Sequence, residues 1–226
     1  MKNKLMIVQL VLLTVLLACA TTSPMPGRFP IDSPTKSEYL DVMSYSFNDR
    51  SIFKNDLQPD HAILIDQHPL ADIYHMKVIL SDDLLSLRGM MEVRYFNRLE
   101  SDLSKIYFRL LPNLWGDWMQ VSGVSVNGIA VNTQLINDNS ALQIPLNEIV
   151  AFGGYLDVQL NFNASLPQDG SGNYGTFGFQ DETLALAQFH PLLPIHDDGG
   201  WHIAVSYTHL RAHETVLDLV CRLLLE

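Results

Sequence analysis

The densest concentration of side chains able to do chemistry lies between His190 and His202. Three of the chain's eight histidines, His190, His196 and His202, flank the pair Asp197-Asp198. Imidazole and carboxylate are ligands that zinc accepts, so His190, His196, Asp198 and His202 are the candidate donors of a metal site. Pro191, Pro194, Gly199 and Gly200 interrupt the stretch, so its spacing dictates no coordination geometry, and histidines beside prolines serve more often in turns and packing. Gly199-Gly200-Trp201 reads as a corner whose indole fills a sheet edge. A zinc-peptidase helix carries two histidines four apart with a glutamate after the first. His213-Glu214 begins that pattern, but Leu217 stands where the second histidine is needed.

The two cysteines, Cys19 and Cys221, do not read as a disulfide pair, which excludes a disulfide-built secreted fold. Cys19 has another chemistry open to it. Lys2 and Lys4 form a short basic region and Leu5 to Leu17 a nearly unbroken apolar run. A run of about 13 residues is too short to cross a hydrocarbon core of about 30 Å and fits the h-region of a secretory signal. Leu16-Leu17-Ala18-Cys19 resembles the bacterial lipobox, where the chain is cut before the cysteine and the thiol is acylated. Residues 1–18 then form a lipoprotein signal peptide and Cys19 is the lipidation site; the alternative is an ordinary signal peptide with an incidental cysteine. Acyl chains contribute about 0.8 kcal/mol per buried CH₂, so a multiply acylated Cys19 anchors stably. The expected location is the cell envelope, lipid-anchored to a membrane and outside the cytoplasm. Ala20, rather than Asp, after the cysteine favours the outer membrane if the envelope is Gram-negative. Residues 19–60 read as a tether: Pro24, Pro26, Pro30 and Pro34 stiffen its first half, and Asp49 to Leu57 could form a short helix.

What must position the histidine stretch is a β scaffold. Hydrophobic residues make up 47% of the chain, enough for a sizeable core. The net charge of −11 argues against a nucleic-acid partner. From Ile73 the apolar residues alternate: Tyr74, Met76, Val78 and Leu80; then Leu87, Met91, Val93 and Tyr95, with Gly89 as an expected bulge. Lys105 to Leu111, Val121 to Val126, Ile129 to Leu135, Leu142 to Leu146 and Leu156 to Phe162 continue the series. Asn127-Gly128 between apolar runs is a strong hairpin signal, because both turn residues need positive φ. Asp82-Asp83 and Asp138-Asn139 mark further turns. Strands of period two with turns every 8–12 residues predict an all-β fold, an antiparallel sandwich or saddle-shaped double sheet, over residues 61–203. His75 on a strand face reads as structural, and Glu92 and Arg94 as solvated residues of the polar face. Trp115 and Trp118, around Gly116, either pack or sit at a loop tip.

The order of these pieces resembles the N-terminal domain of the aminopeptidase N family of zinc metallopeptidases. The likeness rests on Tyr74 opening an alternating strand, Leu87-Arg88-Gly89, Glu92 to Asn97, Ile106 to Asn113, Val124 to Gly128, Leu156 to Phe162 with Leu166-Pro167, Tyr174-Gly175, Leu184 to Leu186 and Phe189 to Trp201. It runs from about Ile73 to Trp201, and its ending is similar to a bacterial branch. The resemblance implies that zinc chemistry belongs to a following domain, where H-E-x-x-H supplies two ligands and the general base. That motif and the family's Gly-x-Met-Glu-Asn substrate loop are absent here. It also implies an N-terminal domain that buttresses the catalytic domain and offers one polar residue to the substrate's free amine. In many members this is a Gln shortly before a proline-containing turn, a place held here by Gln188, although the family's Arg-containing sequence after it is missing.

The tail from about Val205 resembles a translated high-throughput sequencing adapter. One constant part of such an adapter encodes Val205 to Thr215 in frame. A second completes Asp218 and encodes Leu219 to Glu226, and the gap between them is the length of a sample index. The alternative is a genuine amphipathic helix over Thr215 to Leu225. On the adapter reading, residues 204–226 are artefactual and Cys221 is not a biological thiol. The expected function follows: a non-catalytic, truncated N-terminal β domain of a lipid-anchored zinc aminopeptidase. No cofactor is expected in this portion and zinc in the full-length parent. Its partners would be its own missing catalytic domain, a membrane through the lipid anchor, and a peptide substrate in the parent. The alternative is a complete β-sandwich envelope lipoprotein acting as a binding module for a partner or carbohydrate.

Overall fold

The computed structural model describes residues 41–54, 57–169, 175–203 and the backbone of 224–225. Cys19, the expected signal peptide, the first part of the tether and the bulk of the tail lie outside the described residues.

Period-two alternation produces two facing antiparallel sheets, as expected for an all-β double-sheet fold. The larger contains β1 (Ile73–Leu80), β2 (Ser86–Phe96), β4 (Met119–Val126), β5 (Ile129–Ala130) and β8 (Tyr155–Ser165) in the order β1-β2-β8-β4-β5. The smaller contains β3 (Leu103–Arg109), β6 (Gln134–Ile136) and β7 (Ala141–Val150) in the order β3-β7-β6. Two hairpins follow, β9 (Phe177–Gln180) with β10 (Thr183–Leu186), and β11 (His196–Asp197) with β12 (Gly200–Trp201). A two-residue strand, β13 (Leu224–Leu225), runs parallel to β1 at Lys77 and Val78.

The long central pair sets the register. β2 and β8 match without a slip from Ser86↔Ser165 to Phe96↔Tyr155. Because successive side chains point to opposite faces, that register turns Leu156, Val158, Leu160, Phe162 and Ala164 inward, all at 0–2% exposure. They meet Met76, Val78, Met91 and Val93 of the same sheet and Ile106, Phe108, Leu142 and Ile144 of the other in one core.

Three local expectations are corrected. Gly89 pairs regularly with Val78 and Phe162 and is no bulge. A β-carbon there would lie 2.3 Å from the Phe162 ring, so the glycine makes room for an aromatic rather than for an extra residue. In the large sheet the ladder irregularity falls instead on β4 between Ser122 and Ser125, where Gly123 has φ +62°. Ile129 to Leu135 is not one strand, since β5 belongs to the large sheet and β6 to the small one. The chain crosses between the layers at residues 131–133.

Arg94 is not solvated but 9% exposed. The cause is the segment before β1, which lies over part of the outer sheet face. It comprises 3-10 turns at Val42–Ser44 and Pro59–His61 and two single-turn helices, α1 (Ser51–Lys54) and α2 (Leu64–Gln67). Ile52, Phe53 and Ile65 bury with Ile73 in a small second core, joined by Tyr45, Phe47 and Leu57. Arg50 holds the segment's end, donating to the carbonyls of His68 and Pro69 at 2.8 Å each. Phe47 stacks on His75 with ring centroids 4.5 Å apart. His75 is thus structural, 1% exposed, with neither ring nitrogen hydrogen-bonded.

Candidate functional site

The stretch from Phe177 to Trp201 crosses from one sheet to the other. It starts with the β9–β10 hairpin, whose turn residues Asp181 and Glu182 adopt φ +49° and +58°. The hairpin is held against the end of β8, with Phe179 N–H donating to Pro167 O at 2.9 Å. A β-carbon on Gly178 would fall 2.4 Å from that carbonyl oxygen, so close backbone approach demands glycine there. Ala187 N–H donates to Thr176 O at 2.9 Å and closes the hairpin base.

Gln188 comes next, with φ +54°. Left-handed backbone at a non-glycine residue is disfavoured by about 1–2 kcal/mol. Its side-chain Oε1 is buried and accepts no hydrogen bond. An amide oxygen in that state is an open acceptor, suited to an ammonium or N–H donor.

His190 is enclosed by Tyr74 and Phe189, with ring centroids 6.2 and 5.1 Å away, and its Nδ1 lies 3.0 Å from Pro191 O. Burial pushes its pKa down. Beyond it Leu192 exchanges backbone hydrogen bonds with Arg109 of β3, and Leu193 N–H donates to Tyr74 Oη of β1 at 3.2 Å. The chain therefore stitches the two sheets together across the open end of the core.

The β11–β12 hairpin then packs on Tyr95 of β2 and Tyr107 of β3. The His196 ring lies flat on Trp201, with centroids 4.1 Å apart and planes 4° from parallel. Trp201 in turn contacts Tyr95 and Tyr107 at 5.5 and 5.7 Å. Tyr95 Oη is 2.9 Å from His196 Nδ1. Burial raises the tyrosine to about 12 and lowers the histidine, so the phenol keeps its proton and donates to a neutral imidazole. His202 Nε2 approaches Asp197 Oδ2 to 2.8 Å, an ion pair when the ring is protonated. That ring, followed by the Gly199 N–H, holds the Asp197 carboxyl below its usual value. Asp198 is exposed in the turn.

The four candidate metal donors are therefore distributed rather than convergent. His190 faces Tyr74, the Nδ1 of His196 is taken by Tyr95, His202 pairs with Asp197, and Asp198 is exposed in the turn. Among the described residues no group of three or more His, Cys, Asp or Glu side chains is placed to hold a metal ion. The described residues between His190 and His202 therefore do not fit zinc. Trp201 does fill the sheet edge as its Gly-Gly corner suggests. Tyr95 and Tyr107 are the partners that sequence reading missed: alternation marks Tyr95 only as an inward-facing strand residue and puts Tyr107 on the face opposite to Ile106 and Phe108.

No protein-family model and no curated protein matches the chain. Solved structures with a similar course include the M1 zinc metallopeptidase from Deinococcus radiodurans, at 17% identity and TM-score 0.35 over 44% of this chain and 22% of that one. Another is a mutant of the two-domain M1 zinc metallopeptidase bound to L-arginine, at 17% identity and TM-score 0.41 over 54% of this chain and 29% of that one. The match spans less than a third of each of those chains.

Proposed function

We propose that the chain is the N-terminal β domain of a zinc aminopeptidase of the aminopeptidase N type. In this reading it is non-catalytic, anchored to the envelope membrane through acylated Cys19, and continued in the natural protein by a metal-bearing domain. The observation that carries the proposal is Gln188. It stands where the resembling family offers an amide to the substrate's amine, and its Oε1 is a buried acceptor with no partner. A peptide's terminal ammonium would satisfy it through a charge-assisted hydrogen bond. The collinear series from Tyr74 to Trp201 supports the same reading. Residues 204–226 are proposed to derive from a sequencing adapter.

Resequencing the source DNA across the codon for Ile203 tests this. The expected result is a frame that departs from the tail after that codon and continues to H-E-x-x-H. A stop codon soon after it would overturn the proposal and favour a self-contained envelope binding module. The expressed chain itself is expected to release no amino acid from aminoacyl p-nitroanilides; turnover that follows the purified protein would contradict the reading. Palmitate labelling is expected in a bacterial host and should vanish in Cys19→Ser.

A further inference from the structure

The outer face of the large sheet is divided. The rows holding His75 and Arg94 lie beneath the segment of residues 41–72, while rows further along the strands stay open. There the register sets Ile79 of β1, Arg88 of β2, Asn163 of β8 and Gln120 of β4 side by side. Arg88, Asn163 and Gln120 are exposed. With Asp82, Asp117 and Trp118 they line a cleft of about 570 Å³, within the roughly 300–1,000 Å³ of small-ligand sites.

We propose that this cleft binds a neutral oligosaccharide. The central strands β2 and β8 have neighbours on both sides, so the middle of the cleft floor offers side chains and no free backbone edge. An extended peptide, which binds by adding a strand, has nothing to pair with in that middle, where Arg88 and Asn163 lie. The side chains on offer are an amide pair, a guanidinium and carboxylates, planar groups with two donor or acceptor atoms that match adjacent sugar hydroxyls. Among the described residues the side chains of Arg88, Gln120 and Asn163 are engaged with no other group.

Trp118 supplies the flat apolar surface that a sugar ring's C–H face packs on. A β-carbon on Gly116 would lie 2.6 Å from Trp118 Nε1, so glycine is what lets the backbone lie against the indole. Two carboxylates beside one guanidinium leave the cleft slightly acidic, which repels uronate sugars and phosphate and leaves neutral sugars as the fitting class.

The test titrates the full chain with chitotetraose, xylohexaose and maltohexaose by isothermal calorimetry. Saturable binding to at least one is expected, weakened roughly tenfold or more in Trp118→Ala and several-fold in Asn163→Ala. Trp118 also touches the core, so exposed Asn163 provides the variant that leaves folding intact, checked by circular dichroism. No saturable heat with any of the three sugars, or affinity unchanged in both variants, would overturn the proposal.

Discussion

Arg94 and Asp157 lie side by side across the β2–β8 ladder, the guanidinium donating from Nε to Oδ1 and from Nη2 to Oδ2 at 2.7 Å each. The same guanidinium donates from Nη1 to Asn48 Oδ1 at 2.7 Å and lies over the rings of Tyr155 and Phe47 at 4.1 and 4.9 Å. One side chain thus fastens the segment before β1 to the sheet.

Arg94→Met is expected to lower stability by about 2 kcal/mol, the scale of charge-assisted hydrogen bonds on a part-exposed carboxylate. Asp157→Ala should cost more, because it leaves a largely buried guanidinium without its counter-charge. Urea unfolding followed by tryptophan fluorescence reads both, and the reverse order would show that Asp157 is not the group that keeps Arg94 buried.

The enclosed histidines make stability depend on pH. Burial, then the neighbouring charge of Arg94, lowers His75 in the folded state, and burial lowers His190 and His196. The unfolded chain protonates its histidines near pH 6.5. Below that value it binds more protons than the folded chain, so stability is expected to fall as pH drops, by at most about 1.4 kcal/mol per pH unit per histidine. Glu92, raised by burial and by Asp157, acts in the opposite sense just above its ordinary value. Arg94, Asp157, Glu92 and Lys77 are the charged groups on the strands around His75. His75→Phe should flatten the slope between pH 6.5 and 5 without removing it; a slope unchanged in urea midpoints would exclude His75 as a contributor.

Asn113 is 7% exposed and ties the loop before β4. Its Nδ2 donates to Met119 O and Asn139 O at 2.9 and 3.0 Å, and its Oδ1 accepts from Met119 N–H at 2.7 Å. Asn113→Ala strands three backbone groups and should cost about 3 kcal/mol. A loss below about 1 kcal/mol in the same unfolding assay would mean that water replaces the amide.

Gln188→Gly removes both a left-handed side-chain residue and a buried unpaired oxygen. It is expected to raise stability by about 1 kcal/mol, visible as a higher urea midpoint. In the proposed full-length enzyme the same change should raise KM for peptides. A fall in stability would show that the Gln188 side chain supports the fold instead of standing ready for a ligand.

What alternation can reveal was legible. Ile73–Leu80 was read as a strand and is β1, and the Asn127-Gly128 turn has φ +50° and +79° at its two residues. Period and turn chemistry are local, and so they survive in a single sequence. The contacts that make the site are not local. Tyr95 and His196 are 101 residues apart when they hydrogen-bond, and Arg94 reaches Asn48 across 46. The β9–β10 hairpin escaped because Asp181-Glu182 is not a residue pair that favours left-handed φ. Zinc-like ligand types between His190 and His202 suggested one cluster, but Leu192 and Leu193 bind opposite sheets and draw the histidines apart.

The unbroken match of β2 with β8 also bears on the order of folding. Its rungs join residues from Phe96↔Tyr155 outward to Ser86↔Ser165, so every one closes a loop of roughly sixty residues or more. The hairpins β1–β2, β4–β5 and β6–β7 can form early from neighbours in sequence. During synthesis the apolar inner faces of β1 to β4 must wait uncovered until β8 has emerged, and such long-range closure is the slow kind. In this chain the middle of the sheet is assembled last, and the interval before it is when self-association competes with folding.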